Sequence, residues 1–208
     1  EKSSTEIMIN AVHKETLKYI RQGKFVVGIG GEHSITTGFV RAHAEVYNDL
    51  TVLQLDAHSD LRPEYNGSQY NHACVMSRVA EICPFVQVGI RSMDSIEKPF
   101  LVKENLFLAE EICGRNDWYN KVIDQLSANV FITIDLDVFD PSIMPSTGTP
   151  EPGGLSWYEV IKLLKFVALK RNIVGFDVME LAPNSSNKAP DFVAAKLIYK
   201  LLSYRFKL

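Results

Sequence analysis

With 208 residues, 46% of them hydrophobic and 23% charged, the chain has the composition of a globular protein with a substantial core. A formal net charge of -3 without a Lys/Arg cluster excludes the electrostatic footprint of a nucleic-acid partner. No stretch approaches the ~20 apolar residues of a membrane span.

In chain order, Ile9, Val12, Thr16 and Ile20 recur at helical spacing and predict an amphipathic helix that Gly23 stops. KFVVGIG (24–30) reads as a buried strand. TVLQLD (51–56) reads as a second strand, with a helix from 72 to 82. FVQVGI (85–90) and the short NLFL (105–108) are strands. A helix follows at RNDWYNKVIDQL (115–126), then a strand at VFITIDLD (130–137). Ser156 and Glu159 form a capping box for a helix over 156–169. IVGFDV (173–178) is a strand, and NSSNK (184–188) reads as an exposed loop. The last helix starts near 190, with Pro190 in its first turn and Phe192, Ala195, Ile198 and Leu202 as its inward face. Cys74, Cys83 and Cys113 are odd in number and lack CxxC spacing, which fits a reducing compartment and a cytoplasmic location.

Strands that alternate with helices and are apolar on both faces predict an α/β fold, a parallel sheet covered on each side. Sites in such folds lie at the carboxyl ends of the strands. There the chain places its acids and imidazoles. His33 follows the first strand, and Asp56, His58 and Asp60 follow the second. Asp135 and Asp137 end the 130–137 strand, and Glu180 follows 173–178. Residues i and i+2 of an extended segment point the same way, so these groups can converge on one rim. Four carboxylates alone would repel one another; two divalent cations would neutralise them. A mixed His/carboxylate shell suits Mn2+, Zn2+ or Fe2+ rather than the oxygen-only shell of Ca2+ or Mg2+, and the lack of thiolate favours Mn2+ over structural zinc. GIGGEH is not a dinucleotide fingerprint, because His33 holds the third glycine position. Asp140 and Pro141 read as a turn outside the site.

The stretches GGEHSIT (30–36), DAHSD (56–60), NHACVMSR (71–78), ITIDLDVFDPSIMPSTGTPEPGG (132–154) and DVMELAP (177–183) together resemble the ureohydrolases, the arginases and agmatinases. The resemblance covers nearly the whole chain. It implies a three-layer α/β/α sandwich around a mostly parallel sheet, and one ureohydrolase domain over 1–208. Family members carry a longer N-terminal segment with a first strand, so the sheet is expected to lack that edge strand, as in an N-terminally truncated chain. It also implies two Mn2+ per chain, one held by His33 and Asp60 and the other by His58 and Asp137, with Asp56 and Asp135 touching both. Asp60 would pass a proton to the leaving amine, and His72 would exchange protons with solvent. Glu180 would hold the guanidinium, and Thr149 would lie near the reacting centre. Glu32 stands where many relatives have Asp and carries no assigned role.

Arg62 and Tyr70 stand where arginases carry Asn, in a loop that chooses the substrate. The PEPGGLSW and NHACVMSR phrasing resembles agmatinases. The resemblance therefore implies cleavage of agmatine to putrescine and urea, as in polyamine biosynthesis, with Arg62 near the substrate and a homo-oligomer, trimer or hexamer. The alternatives are another guanidino or amidino substrate, such as guanidinobutyrate, arginine or formiminoglutamate, and a catalytically silent, metal-stabilised binding relative.

Overall fold

The structure, a computed structural model, describes residues 4–207. Helix and strand alternate as α1 (Thr5–Arg21), β1 (Val26–Ile29), α2 (Thr36–Ala44), β2 (Leu50–Leu55), α3 (Val75–Ala80), β3 (Phe85–Ile90) and β4 (Leu106–Leu108), then α4 (Ala109–Ile112), α5 (Tyr119–Asp124), β5 (Asn129–Asp135), α6 (Trp157–Lys170), β6 (Asn172–Met179) and α7 (Ala189–Lys207). The six strands form one sheet in the order β1-β6-β5-β2-β3-β4, and every pairing is parallel. Among the described residues no helix is long and apolar enough to cross a membrane.

The strands are apolar on both faces because both faces are covered. Leu53, Leu55, Val130, Ile132, Ile134 and Phe176 pack with residues of α5, α6 and α7. On the other face Val52, Phe85, Phe131 and Val174 pack with Val40 of α2 and with Val75 and Val79 of α3. This gives the three layers expected. The second face also carries a polar row. Gln87, Gln54, Thr133 and Asp177 are register partners across β3, β2, β5 and β6, and all four are buried. The row lies one two-residue step below Asp56 and Asp135 on the same face.

Residues 36–44 have no element assigned from sequence, and Thr36, Thr37 and Gly38 are poor helix formers. Yet α2 forms there, because the sheet needs cover and Gly38 lets α1 cross closely, where a Cβ would collide with Ile9 and Val12. On α7 the buried positions are Pro190, Ala194, Leu197 and Leu201; Phe192 is 76% exposed and Ala195 is also exposed. Ile198 and Leu202 are only partly buried against the core. The helix is apolar around much of its circumference, so more than one register satisfies the spacing, and the sheet selects one lying a residue away. Ser156 and Glu159 do form the capping box of α6, and residues 184–188 are exposed.

His43, at the end of α2, is wholly buried. Its Nδ1 donates to the Phe39 carbonyl at 2.8 Å, while Nε2 has no hydrogen-bond partner and faces Gly175, where any Cβ would collide with the ring. Burial pushes the imidazole down to about 4, against the pull of the backbone carbonyls. The unfolded chain takes up this proton near ~6.5. The neutral ring therefore contributes its full share of stability above that pH, and the contribution is lost as pH falls from about 6.5 to 4. It amounts to about 3 kcal/mol at 1.36 kcal/mol per unit. Urea unfolding of the wild type and His43→Gln from pH 7 to 4 is expected to show their stability difference shrinking by that amount. A difference constant with pH rules the assignment out.

Candidate metal centre

Three acids of the cluster are tied down by hydrogen bonds. The Asp56 Oδ1 accepts the His58 N–H at 2.7 Å, and its Oδ2 accepts Gln54 Nε2–H at 2.8 Å. Asp135 Oδ1 caps the turn after β5 by accepting the Asp137 N–H at 2.9 Å. Asp137 Oδ1 accepts the Ala57 N–H at 3.0 Å, which sews the end of β5 to that of β2. The carboxylates and the two imidazoles converge. His33 Nδ1 lies 3.2 Å from Asp56, 3.3 Å from Asp135 and 3.5 Å from Asp60. His58 Nδ1 lies 3.0 Å from Asp137 Oδ2 and 3.6 Å from Asp56.

These contacts do not satisfy the atoms that make them. His33 Nδ1 and Asp137 Oδ2 are buried and lack any partner with hydrogen-bond geometry. Ligand atoms fall into two groups, His33–Asp56–Asp135 and Asp56–His58–Asp137, each within 4.8 Å and sharing Asp56. Asp60 flanks the first group rather than joining it. Burial, with Asp56 close by, pushes the Asp60 and Asp135 carboxyls well above the usual range. Burial and Asp56 also raise Asp137. A cluster that repels its own charge and leaves buried ligand atoms unpartnered fits a pair of divalent cations. All six residues expected as ligands are thus brought together.

Asp60 and Glu180 share a second feature. They lie at φ 53° and 66°, in the left-handed region, as only Asn66 does among the other described non-glycine residues. Such a conformation costs about 1–2 kcal/mol for an L side chain and tends to mark functional positions. The Glu180 carboxylate accepts the His33 N–H at 2.6 Å, and its own N–H donates to Gly31. Burial raises its carboxyl, with the His33 amide pulling the other way.

A cavity of about 470 Å³ opens over the cluster, lined in part by His72, Thr149, Glu180, Arg62, Tyr65 and Asp94. The expected substrate residues all face it. Glu32, given no role from sequence, pairs with His72 at 3.2 Å and accepts from Ser34 at 2.7 Å. Its carboxylate pushes the His72 imidazole up, against burial. Arg62 is held by Asp94 at 3.1 Å and lies 4.8 Å over the Tyr65 ring. Asp94 starts a 3-10 turn (Ser95–Phe100) through a capping box with Glu97. Buried Glu97 in turn accepts from Ser59 and the Leu61 N–H, so this turn anchors the chain beyond Asp60. Asp140 stays outside the cavity lining, as expected. It accepts the amides of Ser142, Gly153 and Gly154. Arg91 pins the same loop by donating to the carbonyls of Asp137 and Glu151. Gln54, Glu97 and Arg91 escape a motif reading. Gln54 and Arg91 show only as a polar residue inside or just after an apolar strand, and Glu97 only as the end of a D-x-x-E capping box.

The profile of the arginase family matches residues 2–203. The chain is 42% identical over 204 residues, 96% of its length and 67% of the relative's, to an N(1)-aminopropylagmatine ureohydrolase of Synechocystis sp.. It is 34% identical over 192 residues, 90% of its length and 66% of the relative's, to an agmatinase of Pyrococcus horikoshii. Among solved structures, agmatine ureohydrolase of Thermoplasma volcanium superposes with a TM-score of 0.85 at 33% identity, covering 97% of this chain and 69% of that one.

Proposed function

The chain belongs to the arginase family, and from that premise we propose that it is a manganese-dependent ureohydrolase acting on agmatine. The observation that carries this reading is the paired His/carboxylate cluster with its unpartnered Nδ1 and Oδ2 atoms beneath an acid-lined cavity. Divalent cations bound at that cluster supply Lewis-acid activation of water at neutral pH.

The reaction joins a water oxygen to the guanidinium carbon and breaks the bond from that carbon to the substituted nitrogen. Both water protons end on the nitrogens, so that urea and an alkylammonium leave. Glu180 holds the guanidinium by a charge-assisted pair, potentially bidentate. Asp60 hands a proton to the departing nitrogen. His72, held by Glu32 and open to solvent, relays the second of the two protons by exchange with solvent.

The tail of the substrate is read from charge. Beyond the six cluster residues the cavity wall carries three acids, Asp94, Glu97 and Glu180. Among the described residues its one Lys/Arg side chain is Arg62, which Asp94 engages. The described wall thus offers an α-carboxylate no free Lys or Arg, and its net negative charge favours an amine tail. This supports agmatine over arginine or guanidinobutyrate. A second reading, N1-aminopropylagmatine, is favoured by the name of the 42% identical relative. Urea release with Mn2+, compared across agmatine, N1-aminopropylagmatine, arginine and guanidinobutyrate, tests both. Either amine-tailed substrate is expected to exceed arginine at least tenfold in kcat/KM, a difference of ~1.4 kcal/mol. Arginine turning over best would overturn the tail reading, and the ratio of the two amines decides between them.

A further inference from the structure

Asp177 lies in the polar row under the cluster and is wholly buried on β6. Both of its oxygens are taken by hydroxyls: Thr133 donates to Oδ1 at 2.6 Å, and Thr36 donates to Oδ2 at 2.9 Å. Thr133 also meets His33 Nε2 at 2.8 Å. A carboxylate only accepts, and a threonine hydroxyl has one proton to give. With the Thr133 proton committed to Asp177, the contact to His33 runs one way: Nε2–H donates to Thr133 Oγ1. With a cation bound at the cluster, the imidazole would carry its one proton on Nε2 and turn its lone pair outward at Nδ1, the atom left without a partner there. Burial raises the Asp177 carboxyl, and the Thr133 and Thr36 hydroxyls that donate to it pull the other way. The register supports the same reading. Thr133 and Asp177 are direct partners across β5 and β6, so the relay is set by rigid strands.

We propose that Asp177 is a positioning residue that, through Thr133, fixes the tautomer and ring orientation of His33 for binding a divalent cation. Asp177 touches neither substrate nor cation; it acts through two atoms' worth of hydrogen-bond direction. The inference rests on the metal-dependent reading of the cluster.

The test is Mn2+ binding to metal-stripped protein, with free Mn2+ read by its EPR signal. The wild type is expected to bind in two steps, and His33→Ala marks which step belongs to the His33 side. Asp177→Asn keeps the shape but lets the Thr133 hydroxyl reverse. It is expected to weaken that step alone by about 10- to 100-fold, the usual loss when the partner of a ligating histidine is removed. If Asp177→Asn does not fold, Thr133→Val breaks the relay with the acid in place and is expected to cost the same step, while Thr133→Ser retains it. Unchanged affinity in both steps overturns the proposal. So does equal weakening of both, which marks general loosening. A wild type that binds no Mn2+ fails the metal-dependent reading itself and is distinguishable from either result.

Discussion

Asp137→Asn is expected to leave one divalent cation per chain where the wild type holds two, and to reduce urea release by three to four orders of magnitude. The size follows from the several kcal/mol of transition-state stabilisation that a catalytic metal supplies, at about 1.36 kcal/mol per decade. The asparagine can still accept the Ala57 amide, which the native Oδ1 takes at 3.0 Å, so the junction between the ends of β5 and β2 survives. What is lost is the charge on Oδ2, the buried atom without a partner. Stability gives an independent sign. Burial and Asp56 raise the carboxyl of Asp137 when no cation is present, so removing its charge relieves repulsion in metal-stripped protein. The stripped variant is therefore expected to melt no lower than the stripped wild type. With Mn2+ added the order reverses, because the variant gains less from binding. Metal analysis and paired melts with and without chelator read both effects. Two cations per chain together with near-native turnover would remove Asp137 from the cluster.

How much of this is visible in the sequence depends on how each feature is encoded. DAHSD and DLD are legible because ligand pairs at i and i+2 sit at the ends of apolar strands, and strand-end charge has few other uses there. The sheet is legible because strands buried on both faces read as unbroken apolar runs. The polar row is not. Gln54, Gln87, Thr133 and Asp177 each look like a single polar residue inside an apolar strand, and only strand register, which spacing along one chain does not specify, brings them into line. The partnership of Glu32 with His72 spans 40 residues and depends on two loops meeting. The face of α7 is misjudged for a different reason. Phe192, Val193, Ala194, Ala195, Leu197 and Ile198 offer apolar residues in several directions, and the spacing alone does not say which direction meets the sheet.

Glu180→Gln tests the other half of the site, the hold on the substrate. A chain selecting for stability alone would place glycine or asparagine at φ 66°, where an ordinary side chain is strained. The acid at that position is explained by its carboxylate, which reaches the cavity from beside the His33 amide. Glutamine keeps the length, the backbone strain and an oxygen to accept from His33, so the fold and the two-cation content are expected to stay as in the wild type. The charge proposed to face the guanidinium disappears. Truncating one partner of a desolvated charge pair costs about 3 kcal/mol, on the order of 100-fold in kcat/KM. A cation recognised equally in the bound substrate and the transition state puts most of that loss in KM. The pattern is the opposite of that expected for Asp137→Asn, which loses metal and kcat. A Glu180→Gln enzyme that keeps its cations and its native kcat/KM would place the guanidinium elsewhere in the cavity. A variant that loses a cation would make Glu180 part of the metal centre instead of the substrate's anchor.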